Sequence, residues 1–188
     1  MSLLAALLLA AQPAPAIAPE RAMLDALRQA CERPGDVEEM EADALAAGWE
    51  RIADEAHPQV AKLNRIGRMA AGTDGTMAGA SFRRTMAGRE LFLIVSRHED
   101  ASGAWGAGCR LYDFAATAPL DGAVLEGWIG RPPTGVVTPS PGVSRRLWET
   151  GWRDGLTFEA SHVPQGHEIG RVYGLSGNIL VVQALGGF

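Results

Sequence analysis

The pattern of apolar and polar positions divides the chain into a helical first part and a β-rich remainder. From Pro19 to Glu32, apolar residues recur at steps of three and four, which predicts an amphipathic helix with Cys31 on its buried face. Asp36 can cap a second helix that runs to about Ala47, because a carboxylate accepts hydrogen bonds from the free N–H groups of a first helical turn. A third, weaker helical stretch covers residues 53–68.

From Phe82 onwards the pattern becomes that of β-strands. Apolar runs at residues 82–86 and 91–97 flank Ala87-Gly88, which predicts a hairpin. The second of these runs, followed by a polar turn and another apolar run from Trp105 to Phe114, predicts a further antiparallel hairpin. The apolar run is densest here, so we expect this stretch to form the centre of the sheet.

The last third is predicted to hold one helix, one loop and four strands. The helix begins near Pro119 and ends at about Gly130, and the proline-rich segment 131–141 is predicted to be a loop that can serve as a lid or a binding edge. The strands are predicted at residues 147–152, 156–162, 171–175 and 179–182, and Asp154-Gly155 is the strongest hairpin signal in the chain. The fold class that follows is α+β, with N-terminal helices packed on a mostly antiparallel β-sheet with one inserted helix.

Residues 1–16 have the pattern of a signal peptide. A continuous apolar run from Leu3 to Ala11 is too short to span a bilayer, and prolines and small residues follow it. We expect cleavage after Ala16, which leaves residues 17–188 as a single globular α+β domain in the periplasm or secreted. No Lys or Arg precedes the apolar run, so the alternative is an apolar N-terminal helix of a cytosolic protein.

Cys31 and Cys109 are the only two cysteines of the chain. In an exported protein, such a pair is typical of a disulfide, which here would join the N-terminal helical part to the second strand of the central hairpin. The alternative is two unpaired buried thiols, each acting as a small apolar side chain. We favour the disulfide.

Composition and charge narrow the class of protein without identifying it. The chain has 188 residues, of which 47% are apolar and 21% charged, as in ordinary single-domain globular proteins. The net charge of −5 and the absence of a clustered basic face argue against nucleic acid as a partner. We also expect no integral membrane span once the leader is removed.

One polar cluster stands out at the end of the densest apolar run. His98 closes that run and is followed by Glu99 and Asp100. A histidine beside two carboxylates at the end of a strand can act as a general base or a metal ligand. The alternative is a polar turn without further function.

A second pair of histidines lies in a loop near the C-terminus. His162 and His167 flank a proline- and glycine-containing loop, in which two imidazoles can approach a zinc ion. Their spacing matches none of the helical zinc motifs, and Ser161 beside His162 would point to the opposite face of a strand. The Gly-rich segment 67–79 lacks the Gly-Lys-Ser/Thr of a phosphate-binding loop. We therefore expect neither a metal nor a cofactor.

The sequence predicts an exported small domain that acts as a non-enzymatic binding or interaction module for an unknown ligand or protein partner. Its candidate face is the rim formed by the turn at residues 98–100 and the loops 132–141 and 164–170. The alternative is a hydrolase or metal-dependent enzyme that uses loop histidines and carboxylates. The candidate binding residues are His98, Glu99, Asp100, His162 and His167.

Overall fold

One antiparallel sheet of eight strands forms the centre of the computed structural model, which describes residues 19–188. The predicted leader, residues 1–16, lies outside the described residues. The strands are, in chain order, β1 (Glu50–Ile52), β2 (Thr76–Met86), β3 (Arg89–Glu99), β4 (Trp105–Asp113), β5 (Gly135–Ser140), β6 (Val143–Trp148), β7 (Thr157–Val163) and β8 (Gly177–Gly186). Their order across the sheet is β1-β2-β3-β4-β8-β7-β6-β5.

Within residues 19–188, five helices cover the two faces of this sheet. They are α1 (Pro19–Ala30), α2 (Val37–Ala46), α3 (Pro58–Ala71), α4 (Gly122–Ile129) and α5 (Glu168–Tyr173). Helices α1, α2 and α4 pack on one face, whereas α3 and α5 pack on the other. The predicted class, α+β with N-terminal helices on an antiparallel sheet, is confirmed. No helix in residues 19–188 is long and apolar enough to cross a membrane.

The dense apolar run in β3 follows from its position between these two layers. Leu91, Leu93 and Val95 belong to the core under α1 and α2, whereas Phe92 and Ile94 belong to the core on the opposite face. Successive side chains of a strand point to opposite faces, so a strand that is covered on both sides is apolar throughout. Of the hairpin predicted to form the centre of the sheet, β4 is one of the two middle strands and β3 is its neighbour.

A disulfide between Cys31 and Cys109 joins the end of α1 to β4. The two Cα atoms are 6.1 Å apart, and both residues are fully buried. Cys109 shares its face of β4 with Leu111, which belongs to the core under α1 and α2. The bond therefore fixes the first helix against the sheet, as the sequence predicts.

The two hairpin turns marked by glycine are also present. Ala87 and Gly88 both have positive φ angles, 49° and 76°, as a two-residue turn between twisted strands requires. Strands β6 and β7 pair on either side of Asp154-Gly155. However, the predicted strand at residues 147–152 is largely wrong, because β6 spans Val143–Trp148 and residues 149–156, including Trp152, form the connection.

The predicted strand at residues 171–175 is wrong, because these residues belong largely to α5 and its cap. The ring of His167 accepts a hydrogen bond from the backbone N–H of Ile169 and so caps the helix. Gly174, with a φ of 75°, ends it in the left-handed conformation. The two caps make a helix of a six-residue segment whose valine and tyrosine favour a strand.

The predicted loop at residues 131–141 is likewise wrong in part, because it contains β5. This strand lies at the edge of the sheet, where the N–H group that Pro139 lacks is not needed for the ladder. Its pairing with β6 shifts register between Val137 and Ser140. At the opposite edge, β1 has three residues and was not predicted from the sequence.

Candidate functional site

A cleft of about 530 Å³ lies between α3 and the sheet, and we call it the α3 cleft. Helix α3 provides one wall, and strands β3, β4 and β8 provide the floor. Most of the walls are apolar. The apolar side chains include Leu63, Ile66, Met77, Ile94, Leu185 and Phe188.

The cleft exists because small residues occupy the strand positions beneath α3. Ser96 of β3 pairs with Gly108 of β4, and Gly106 also lines the cleft. A Cβ atom at Gly108 would lie 1.9 Å from the carbonyl oxygen of Val182, so this position tolerates only glycine. Helix α3 buries only Val60 and Asn64, and its C-terminal half spans open space above the floor.

Arg110 provides a positive charge inside the cleft. Its guanidinium donates a hydrogen bond to the hydroxyl of Ser96, with an N–O distance of 2.9 Å. Within residues 19–188 it forms no ion pair with a carboxylate. The other guanidinium N–H groups have no protein acceptor in this part of the chain, so the cleft holds hydrogen-bond donors and an uncompensated charge.

Tyr112 lies two residues further along the same face of β4 and also lines the cleft. It is 3% exposed, yet its hydroxyl makes no hydrogen bond with any described residue. Burial raises the pKa of the Tyr112 phenol to about 12, although the positive charge of Arg110 acts in the opposite direction. The hydroxyl is therefore protonated at neutral pH and available as a donor.

His98 and Asp100, both predicted site residues, lie at the mouth of the cleft. The Nε2 atom of His98 is buried and has no hydrogen-bond partner in the described chain. Asp100 has a different role, because one of its carboxylate oxygens accepts hydrogen bonds from Ser102 and from the backbone N–H of Ala104. The hydrogen bond from the Ser102 hydroxyl is the main reason that the pKa of Asp100 is lowered.

Glu99 does not join this pair, because it points to the other face of the sheet. Its carboxylate accepts a hydrogen bond from Arg97 at 2.8 Å, and the Arg97 guanidinium lies 4.4 Å from the ring centre of Trp105. Neighbours on a strand face opposite sides, so Glu99 and His98 cannot act on the same ligand.

His162 is buried on the face that α4 covers, away from the α3 cleft. Its Nδ1 atom lies 3.0 Å from the Oδ1 atom of Asn178, whose Nδ2 group donates to the backbone oxygen of Ala118. This orientation of the amide makes Nδ1 of His162 the donor. On β8, Asn178 lies beside His162, and Leu185 lies in the same row across the sheet as His98. Asn178 and Leu185 are about 23 Å apart along the strand, so the two histidines are far from each other.

His167 caps α5 and contacts the edge of the sheet. Its Nδ1 atom accepts from the Ile169 N–H at 3.2 Å, and its Nε2 atom lies 3.1 Å from the hydroxyl of Ser140. This contact joins the predicted loops 132–141 and 164–170. The turn at residues 98–100 does not join them, because four strands separate β3 from β5.

The residues of the α3 cleft that carry its chemistry were missed by the sequence reasoning, although a signal was present. In β4, Gly106, Gly108, Arg110 and Tyr112 alternate with the buried Ala107, Cys109 and Leu111. Arg110 is a charged residue on the face of β4 opposite these buried apolar residues, and such a position indicates that this face borders a cavity or a partner. No group of three or more His, Cys, Asp or Glu residues within 19–188 is placed to hold a metal ion.

Comparison with known proteins identifies no relative. The chain has no significant match to a protein-family model, to a curated protein or to a solved structure.

Proposed function

We propose that this protein is an exported, non-enzymatic module that binds a small, largely apolar ligand in the α3 cleft. The observation that carries the proposal is the cleft itself: its volume of about 530 Å³ lies in the range of small-molecule sites. Such sites combine apolar walls with a few converging polar groups. Arg110 and Tyr112 are groups of this kind, with donors that the described residues leave unpaired.

Export to the periplasm or the medium is supported by the disulfide and by the predicted leader. Disulfides persist in oxidising compartments and are rare in the cytosol. Expression of the full chain in a Gram-negative host, followed by fractionation and intact-mass measurement, tests this part. We expect an extracytoplasmic chain that begins at Ile17 and has no reactive thiol. A full-length chain in the cytosol with reduced Cys31 and Cys109 would contradict it.

The contacts of the histidines favour binding over the hydrolase alternative. Because Nδ1 of His167 accepts a backbone hydrogen bond, the neutral ring carries its proton on Nε2 and donates it to Ser140. A general base must instead accept the proton of the serine. His162 likewise uses its N–H to bind Asn178, and within the described chain no hydrogen bond joins His98 to a serine, a threonine or a carboxylate.

The binding function is tested with a neutral apolar fluorophore, N-phenyl-1-naphthylamine, titrated into the mature chain. We expect saturable binding at one site. Ala70→Trp places an indole at the exposed end of α3 that lines the cleft and should weaken binding at least about tenfold, since it fills ligand space.

The matched control is Ala42→Trp, which adds the same side chain at an exposed position of α2 outside the cleft. This variant should bind the fluorophore like the wild type. Equal weakening by both substitutions, or a titration that never saturates, would contradict the proposal.

A further inference from the structure

We infer that the ligand of the α3 cleft is an apolar monoanion, held by its charged end at Arg110 and Tyr112 with its uncharged body towards Leu185 and Phe188. This inference rests on the proposed binding function and adds the chemical class of the ligand.

The first reason is the state of the Arg110 guanidinium. A guanidinium presents five N–H donors in a planar fork that matches a carboxylate, and Ser96 accepts from one of its nitrogens. A charge that is partly withdrawn from water gains from a counter-charge, and Arg110 is half-buried. Of the sixteen arginines in residues 19–188, eight pair with a carboxylate and eight do not. Arg110 belongs to the second group and is the arginine that lines the α3 cleft. A bound anion would supply the missing partner.

The second reason is the hydroxyl of Tyr112. The residue is 3% exposed and lies on the same strand face as Arg110, about 7 Å along β4. Its hydroxyl makes no hydrogen bond within residues 19–188, so it keeps a free donor in the cleft. One acceptor group placed between Arg110 and Tyr112 would satisfy both side chains.

The charge of the site limits the ligand to one negative charge. The inner end offers one guanidinium and one neutral hydroxyl, which suit a monoanion such as a carboxylate better than a dianion. The mouth carries the carboxylate of Asp100, which would repel a second negative charge on the outer end of the ligand. The walls between these two ends are mainly apolar, so the body of the ligand is predicted to be uncharged and apolar.

Calorimetric titration of the mature chain with three ten-carbon compounds tests the inference. Decanoate, decanol and decylammonium share an alkyl body and differ in the charge of the head group. We expect decanoate to bind about 10- to 100-fold more tightly than decanol, because hydrogen bonds to a charged group contribute more than neutral ones. Decylammonium should bind most weakly, because its charge repels that of Arg110.

Variants at Arg110 separate its charge from its shape. Arg110→Gln should remove the preference for decanoate over decanol, whereas Arg110→Lys, which retains the charge and loses the fork, should retain part of it. Arg65→Gln is the matched control, since it removes a positive charge from an exposed position of α3 that does not line the cleft. It should leave the preference unchanged.

The outcomes distinguish this inference from the function on which it rests. If decanol binds within about twofold of decanoate, the monoanion assignment is wrong while the binding function stands. If none of the three compounds and no N-phenyl-1-naphthylamine binds, both are wrong. The comparison of the three compounds on the wild-type chain decides whether the cleft prefers a monoanion, even if a variant at Arg110 does not fold.

Discussion

The guanidinium of Arg110 donates a hydrogen bond to the hydroxyl of Ser96 across 2.9 Å, and no carboxylate of residues 19–188 pairs with it. The contact fixes the guanidinium on the floor of the α3 cleft. Serine is a neutral acceptor and leaves the positive charge uncompensated. This relationship distinguishes the α3 cleft from a gap between apolar side chains, because it places free guanidinium donors on the floor of the cleft.

Removal of the Tyr112 hydroxyl should weaken ligand binding without weakening the fold. In Tyr112→Phe, a hydroxyl without a protein partner is lost from a largely buried side chain, so we expect the free energy of unfolding to stay the same or rise by up to about 1 kcal/mol. The affinity for decanoate should fall about 2- to 10-fold. Urea unfolding and calorimetry measure the two effects.

Tyr173→Phe is the control for this prediction, since Tyr173 is 50% exposed and does not line the cleft. It should change neither quantity. A clear loss of stability in Tyr112→Phe would show that the hydroxyl has a structural partner and would count against its role in binding.

Loss of the disulfide should destabilise the protein without abolishing the sheet. The two cysteines are 78 positions apart, and for a loop of that length the chain-entropy model gives a stabilisation of about 4 kcal/mol. The double variant Cys31→Ala/Cys109→Ala should lose an amount of this order in urea unfolding. Reduced wild type serves as a second reference, because alanine also removes sulfur atoms from the core. Equal stability of oxidised and reduced protein would contradict the prediction.

Arg89 and Asp113 form an ion pair, and removal of one or the other should lower the free energy of unfolding by unequal amounts. The side chain of Asp113 is fully buried, whereas that of Arg89 is 35% exposed. Arg89→Met leaves a buried carboxylate without its counter-charge and should lower the free energy of unfolding by about 3 kcal/mol. Asp113→Asn leaves an arginine that can reach water, so its effect should be smaller.

The surface ion pair Arg145–Glu159 is the comparison for the buried pair, because exposed ion pairs contribute at most about 1 kcal/mol to the free energy of unfolding. Arg145→Met should therefore change stability little. If Asp113→Asn loses more unfolding free energy than Arg89→Met, the prediction is contradicted, because the buried carboxylate then tolerates the loss of its counter-charge.

His57 should make the fold less stable as the pH falls below neutrality. Its ring stacks on Phe114, and burial lowers its pKa below the ordinary value of 6.5. The unfolded chain therefore takes up the proton more readily than the folded chain, and stability decreases as the pH falls through the unfolded pKa.

Urea unfolding at about pH 7.5 and about pH 5.5 measures this contribution of His57. His57→Phe preserves the aromatic stack and should reduce the difference in unfolding free energy between the two conditions. An unchanged difference would assign the pH dependence to other groups.

The local parts of the fold could be predicted from the sequence because neighbouring residues determine them. Asp36 caps α2 through the backbone N–H of Glu39, and Ala87-Gly88 adopts the positive φ angles of a hairpin turn. The strand predicted at residues 147–152 was placed too late in the chain, since β6 ends at Trp148. The errors at β5 and α5 have tertiary causes. Pro139 is tolerated because β5 lies at the edge of the sheet, and the ring of His167 caps α5 and contacts Ser140.

The α3 cleft could not be predicted because its parts are distant in the chain. Ser96, Gly108 and Gln183 form one row across three strands, and only the strand order places them beneath α3. Sequence neighbours gave a misleading cluster instead. His98 and Glu99 are adjacent in the chain but face opposite sides of the sheet.

The binding of decanoate in the α3 cleft can be observed directly by ¹H–¹⁵N correlation spectroscopy of residues 17–188. Gly67, Gly106 and Gly108 line the cleft, whereas Gly127 and Gly151 do not. The proposed function predicts saturable shifts of the first three amide signals, with the last two unchanged. Shifts confined to Gly127 and Gly151, or no saturable shift at all, would contradict it.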